Sequence, residues 1–321
     1  MKRIVSAIFA LALFSAGLDA QGLFRPEYLK EGDKVALLSP SYATPDSNVF
    51  KAAAVLRSWG LEPLIGSNVG KVEMGQYAGT VEERLADLRT ALLDPSIKAI
   101  ICNRGGYGAL HLVDSLRLGE FSAHPKWIVG YSDITTLLAF QNCAGVQGLH
   151  GAMGVGIANE PDSLSSTLMR DFLMGRISDY QLHPHPDNIP GKACGILVGG
   201  NLCTLTPLLG TRADIMEEND IILFIEEVEE SMHNIDRQLR MLKNAGVLSR
   251  CRGVILGQFT GCGEEFTCGS VEAMIRPLLE PYGIPVACGF PAGHGDVNVP
   301  LILGAAVTLE VGPEGALLHF D

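Results

Sequence analysis

The chain has 321 residues, enough for two domains of ordinary size. A hydrophobic content of 47% with 37 Gly and 17 Pro suits a packed, loop-punctuated α/β protein and excludes a disordered one. The net charge of −12 argues against nucleic acid and against an anionic membrane surface as partners, since both call for basic patches.

Met1-Lys2-Arg3 is a short basic region, and Ile4 to Ala16 is a mainly apolar run. The following residues match a small-residue cleavage site loosely, because Leu18 stands where a small side chain is preferred. Residues 1–20 are read as a secretory signal peptide, with the mature chain starting near Gln21. The apolar run is short for a membrane span, and no later stretch reaches ~18 uninterrupted apolar residues, so no membrane anchor is expected. The expected location is periplasmic or secreted; a buried N-terminal helix in a cytoplasmic protein is the alternative.

Lys34 to Ser39 reads as a buried strand broken by Pro40, Asn48 to Trp59 as a helix stopped by Gly60, and Leu61 to Ile65 as a second strand. Thr80-Val-Glu-Glu83 is a capping box opening a helix to Leu93. Ile97 to Cys102 is an apolar strand delivered into Asn103-Arg-Gly-Gly-Tyr-Gly108, followed by a helix over Ala109 to Leu116. Trp127 to Val129 ends a further strand, Gly130 to Asp133 is a tight turn, and Ile134 to Phe140 has helical apolar spacing. Gly148 to Met153 resembles another short strand. This alternation implies parallel βαβ units, whose chemistry gathers at the carboxyl ends of the strands.

A helix after Ser163 and the polar stretch to Pro190 read as the connection to a second domain. That domain opens with a strand at Cys194 running into a Gly-rich turn and helix at Gly199-Gly-Asn201. Ile221 to Ile225 is a strand ending in Glu226-Glu-Val-Glu-Glu230, and Ile235 to Ala245 is a helix. Gly253 to Gly257 is a strand, Val271 to Leu279 a helix, and Ile284 to Cys288 a strand entering the loop Gly289 to Pro300. Ala305 to Phe320 looks like two strands around Gly312-Pro-Glu-Gly315. The expected domains are 30–175 and 194–321, joined by a linker over 176–193. Eight Cys without a C-x-x-C pair or finger-spaced His make structural zinc a poor fit; mostly free thiols are expected, with Cys262–Cys268 the pair to test. No metal and no cofactor is expected.

Strand, sharp turn with a central Ser132, helix is the mechanical description of a nucleophile elbow, although Ile134 replaces the second Gly of G-x-S-x-G. A serine there caps a helix more often than it attacks, so partners are needed. Glu226 leaves the end of a strand, and His294 lies in the Gly-flanked loop Pro291 to Asn298. Ser, carboxylate and His at strand termini make the composition of a serine hydrolase. The amide of Asp133, with one from Gly105-Gly106, would form the oxyanion hole; the glycines equally suit a tight turn or a phosphate cradle. Periodicity does not choose between Glu226 and Glu227, because Ile221 to Ile225 is apolar on both faces.

The sequence resembles the LD-carboxypeptidase, or muramoyltetrapeptide carboxypeptidase, family of serine peptidases, in order from Gly32 to about Leu309. The carriers are Gly32-Asp33-Lys34 with Ser39-Pro40, Asn103 to Gly108, Gly130 to Thr135, Gly199 to Leu202, Leu223 to Glu227, Gly253 to Gly257 and Gly293-His-Gly295. The resemblance implies a triad of Ser132, Glu226 and His294, with the acid at the first of the paired glutamates. It implies a parallel-sheet, Rossmann-like N-terminal α/β domain and a smaller C-terminal α/β domain with the active site between them, as a homodimer. The implied reaction removes the terminal D-alanine of a murein tetrapeptide, with Arg104, Asn201 or another polar group holding the substrate's carboxylate. The family's best-known members are cytoplasmic, whereas this chain opens on an export signal. Two other readings stand beside it: an immunity-type peptidase cutting aminoacyl-nucleotide conjugates, and a non-catalytic peptide-binding protein on the same fold.

Overall fold

A computed structural model describes residues 22–262 and 269–321. The proposed signal peptide and Cys268 lie outside the described residues. Thirteen strands form two sheets among the described residues. The first sheet is built from β1 (Lys34–Leu38), β2 (Glu62–Ile65), β3 (Ile97–Cys102), β4 (Trp127–Gly130) and β5 (Gly148–His150), all parallel and in the order 2-1-3-4-5. The order reverses between β1 and β3, which opens a crevice at their carboxyl ends where a doubly wound sheet binds its ligand. The second sheet holds β6 (Tyr180–Leu182), β7 (Gly191–Asn201), β8 (Ile221–Val228), β9 (Cys251–Thr260) and β10 (Val286–Ala287). One late strand, β11 (Leu301–Leu303), crosses back to pair antiparallel with β5 in the first sheet, and β12 (Ala306–Gly312) and β13 (Gly315–Phe320) return to the second.

The helices cover the sheets for sequence reasons. After α1 (Asp46–Ser58), α2 (Val81–Leu93) starts at the expected capping box: Thr80 accepts from the Glu83 amide, and Glu83 reaches back to the Thr80 amide. The expected single helix over 109–116 is replaced by two short ones, α3 (Leu110–Val113) and α4 (Leu118–Ser122), with buried Leu116 in the bend. α5 (Thr135–Cys143) follows the serine turn and has eight of its nine residues buried, because it is wedged between both sheets. A helix not read from the sequence, α6 (Gly154–Asn159), precedes α7 (Leu164–Leu173); two glycines within it mask its signal.

In the second half, α8 (Leu202–Leu205) packs on β7 and β8, α9 (Met232–Asn244) packs on α8, and α10 (Val247–Arg250) and α11 (Val271–Leu279) pack on α9. The stretch 176–193 is not a plain connection, since it supplies β6 and the start of β7. Nor is Gly199-Gly200 a turn: β7 runs through both to Asn201, where the Asn201 amide donates to Thr135 Oγ1 on α5 at 3.1 Å. That bond fixes the second sheet against the helix that follows the elbow. No helix among the described residues is long and apolar enough to cross a membrane.

Candidate active site

β4 is buried throughout and ends at Gly130; the chain then turns so sharply that Ser132 adopts φ +61°. Left-handed backbone is costly for a residue with a Cβ and marks a site held by its surroundings. Residues Ser132–Ile134 form a 3₁₀ turn whose first internal bond runs from the Ile134 amide to the Tyr131 carbonyl at 3.2 Å. The Ser132 and Asp133 amides precede that bond and have no partner within the turn. The Asp133 carboxylate faces away, accepting from the Ser41 hydroxyl at 2.6 Å and the Ala109 amide at 2.8 Å. Burial raises its pKa, and those two donors oppose the rise. Asp133 therefore offers the cavity its amide, while its side chain ties the turn to the loops after β1 and β3.

The loop after β3 presses on the same turn. A Cβ built on Gly105 would stand 3.1 Å from Ser132 Cβ, and one on Gly106, at φ +105°, would fall 2.2 Å from the Tyr42 ring. Only glycine fits at Gly106 on both counts. Arg104 holds its guanidinium 5.8 Å over Tyr42 and faces the cavity.

The second sheet brings the carboxylate and the imidazole. At Glu226 the register of β8 against β9 slips, between Ile225 and Glu227. The Glu226 side chain is fully buried, and its Oε2 lies 2.7 Å from His294 Nδ1. An ionised carboxylate only accepts, so this contact puts the proton on Nδ1 and leaves Nε2 as the acceptor. Gly293 permits the approach: a Cβ there would meet Glu226 Oε2 at 2.7 Å. The loop is further held by Gln258, whose Oε1 accepts from the Gly295 amide and whose Nε2 donates to the Val297 carbonyl. Glu227 points to the other face, where it accepts from Asn201 Nδ2, the Cys203 amide and the Val228 amide. The second acid thus caps α8.

Ser132, Gly106 and His294 line one cavity of about 370 Å³ together with Arg104. The serine hydroxyl and the imidazole share it without a direct hydrogen bond, a looseness common in unliganded hydrolases. Such an arrangement can deprotonate the hydroxyl and stabilise the imidazolium that results. Asn201 is placed elsewhere: its side chain donates to Glu227 and accepts from the Thr204 amide, and it lines a smaller cavity of about 220 Å³ that meets the first at Ser132 and Gly106. Two further residues back the site without having been singled out in the sequence. Asn298 accepts from the Gly293 amide at 3.0 Å, and buried His150 lies 3.1 Å from the same oxygen. Asn298 shares the His294 loop, which was its only sequence signal; His150 carried none.

Residues 35–151 match the LD-carboxypeptidase N-terminal domain, and residues 194–309 match the LD-carboxypeptidase C-terminal domain. A putative carboxypeptidase of Synechocystis is 35% identical over 302 residues, covering 92% of this chain and 97% of that protein. A probable murein peptide carboxypeptidase of Bacillus subtilis is 30% identical, covering 92% of this chain and 94% of the relative. The crystal structure of a muramoyltetrapeptide carboxypeptidase from Oxalobacter formigenes superposes with a TM-score of 0.81 at 26% identity, over 90% of this chain and 98% of that one. With both domain models matched across two α/β sheets, the chain belongs to the LD-carboxypeptidase family of serine peptidases.

Proposed function

We propose that this enzyme removes the C-terminal D-alanine of murein tetrapeptides through a triad of Ser132, His294 and Glu226. The observation that carries the reading is the buried Glu226–His294 pair facing the serine turn across one cavity. Ser132 Oγ attacks the carbonyl at the L-centre of the diamino acid, and His294 Nε2 takes its proton. Glu226 holds the ring by Nδ1 and steadies the imidazolium. The amides of Asp133 and Gly106 receive the oxyanion, and the imidazolium then protonates the departing D-alanine nitrogen. Water activated by the same ring frees the acyl-enzyme. No step calls on a metal or a cofactor. Export of the mature chain and assembly as a homodimer belong to the same proposal, resting on residues 1–20 and on the family resemblance.

The deciding experiment is D-alanine release from tetrapeptide by the purified mature protein. Ser132→Ala should lower turnover on the order of 10⁴-fold or more while leaving a folded protein, because the hydroxyl sits at a turn and outside the core. Near-wild-type turnover by that variant would remove Ser132 from the mechanism. Hydrolysis of aminoacyl-nucleotide conjugates in place of tetrapeptide would reassign the substrate and keep the triad.

A further inference from the structure

Asn298 has one end committed and the other left over. The Gly293 amide donates to its Oδ1 at 3.0 Å, and His150 Nε2 lies 3.1 Å from that same atom. A backbone N–H can only donate, so the atom it meets is the carbonyl oxygen and the orientation of the side-chain amide follows. His150 must then donate from Nε2 as well, which suits a ring that burial keeps neutral. The remaining group, Nδ2, is buried and has no hydrogen-bond partner among the described residues, on a residue only 6% exposed. Asn298 lines the cavity that holds Ser132 and His294. A buried donor without an acceptor is destabilising, and native proteins keep few of them. Such a donor on a residue that lines the substrate cavity points to an acceptor that arrives with the substrate.

We infer that Asn298 Nδ2 binds the terminal carboxylate of the peptide, a role that rests on the carboxypeptidase reading above. In the leaving residue that carboxylate is two covalent bonds from the scissile nitrogen. Whatever binds it must therefore share a cavity with the nucleophile and the base, as Asn298 does. The surroundings supply further donors. Ser165 Oγ accepts from the Asn298 backbone N–H at 2.9 Å, which leaves the hydroxyl proton free to donate. Ser165 lies in the first turn of the ten-residue α7, where the helix dipole favours an anion. Arg104 lines the same cavity and has no carboxylate partner among the described residues. Glu160 and Asp296 line it too, so the cavity has no net attraction for a carboxylate, and individual donors must place it. The opposite end of the Asn298 side chain holds Gly293, next to the base. One amide therefore joins recognition of a free C-terminus to the loop that carries His294.

The test measures binding with the nucleophile removed. Ser132→Ala is titrated calorimetrically with a tetrapeptide bearing a free C-terminal carboxylate and with its C-terminal amide, before and after Asn298→Asp. Aspartate keeps an oxygen for Gly293 and His150 but replaces the donor with an acceptor. The acid should bind Ser132→Ala more tightly than the amide. Asn298→Asp should weaken the acid on the order of 10- to 100-fold and spare the amide. Should Asn298→Asp fail to fold, Asn298→Ser, smaller and uncharged, should give the same selective loss. An unchanged preference for the acid overturns the inference, as does an equal loss on both ligands, which a purely structural role would produce. A wild-type enzyme that releases no D-alanine, yet shows the Asn298-dependent preference in the Ser132→Ala background, would sink the reaction and leave the carboxylate site standing. Absence of tetrapeptide binding altogether would remove both.

Discussion

Glu226 is a buried carboxylate whose Oε2 meets His294 while its Oε1 has no partner among the described residues. A half-paired buried charge is costly for folding, so its presence is better explained by chemistry than by stability. Glu226→Gln should keep the shape but favour the wrong imidazole tautomer, lowering turnover by ~10³–10⁴ with an unchanged or raised Tm. Glu227 is the reverse case, because it satisfies two backbone amides and Asn201. Glu227→Gln turns one acceptor into a donor facing a donor, so it should lower stability by ~1–3 kcal/mol and spare most of the turnover. Parallel kinetics and thermal melts on the two variants separate them; an active Glu226→Gln beside a folded, inactive Glu227→Gln would move the acid by one residue. His150 adds a pH dependence. Burial lowers its pKa to about 3, so between the ordinary value near 6.5 and about 3 the unfolded chain binds the proton that the folded protein refuses. Stability contributed by the neutral ring is present above about pH 6.5 and is lost as the pH falls through that window, at up to ~1.4 kcal/mol per unit. Denaturant melts from pH 7 to pH 4 should fall more steeply for the wild type than for His150→Gln, and parallel slopes would show that the ring does not contribute.

Among elements, the loop from Gly289 to Pro300 is set by contacts that its sequence only half announced. The Gly-His-Gly run was legible as a place where backbone approaches something closely, because glycines on both sides of a histidine have few other uses. What it approaches was legible in part: the resemblance named Glu226 on β8 as the acid, whereas Gln258 on β9 and Asn298 at the loop's own far end carried no such signal. Gly293→Ala tests the closeness directly. Its methyl would sit 2.7 Å from Glu226 Oε2 at a φ of +131°, forcing either the imidazole or the carboxylate to move. A displacement near 1 Å is worth about 10² in turnover, so kcat should fall by that order, with Tm lowered by a few degrees. Wild-type kcat with a wild-type Tm would mean that the loop relaxes freely and does not hold His294. The same logic explains which elements were readable elsewhere. Long apolar runs such as Ile97 to Cys102 and Ile221 to Ile225 declared themselves, and the Thr80 capping box gave a helix start to the residue. Leu301–Leu303 did not, because three apolar residues ahead of a longer strand do not reveal which sheet they join.

At the scale of the whole molecule, that unread strand decides how the two halves depend on each other. The chain looks divisible after residue 175, yet β11 leaves the second half to pair with β5, setting Leu301 opposite His150 and Leu303 opposite Gly148. All three β11 residues are buried, and Asn142 of α5 donates to the Leu303 carbonyl at 3.1 Å. A fragment spanning 22–175 would therefore expose the edge of β5, leave that apolar face uncovered and strand His150 without Asn298. It would also lose the Asn201 amide that braces Thr135 behind the serine turn. Two domains joined only by a linker should unfold in two steps, whereas halves that exchange a strand should unfold together. We predict one calorimetric transition for residues 22–321 and an aggregating 22–175 fragment that a flexible linker carrying residues 298–304 rescues into solution. Two resolved transitions, or a soluble fragment with a cooperative melt of its own, would mean that β11 is an ornament of the first sheet and that the halves fold independently.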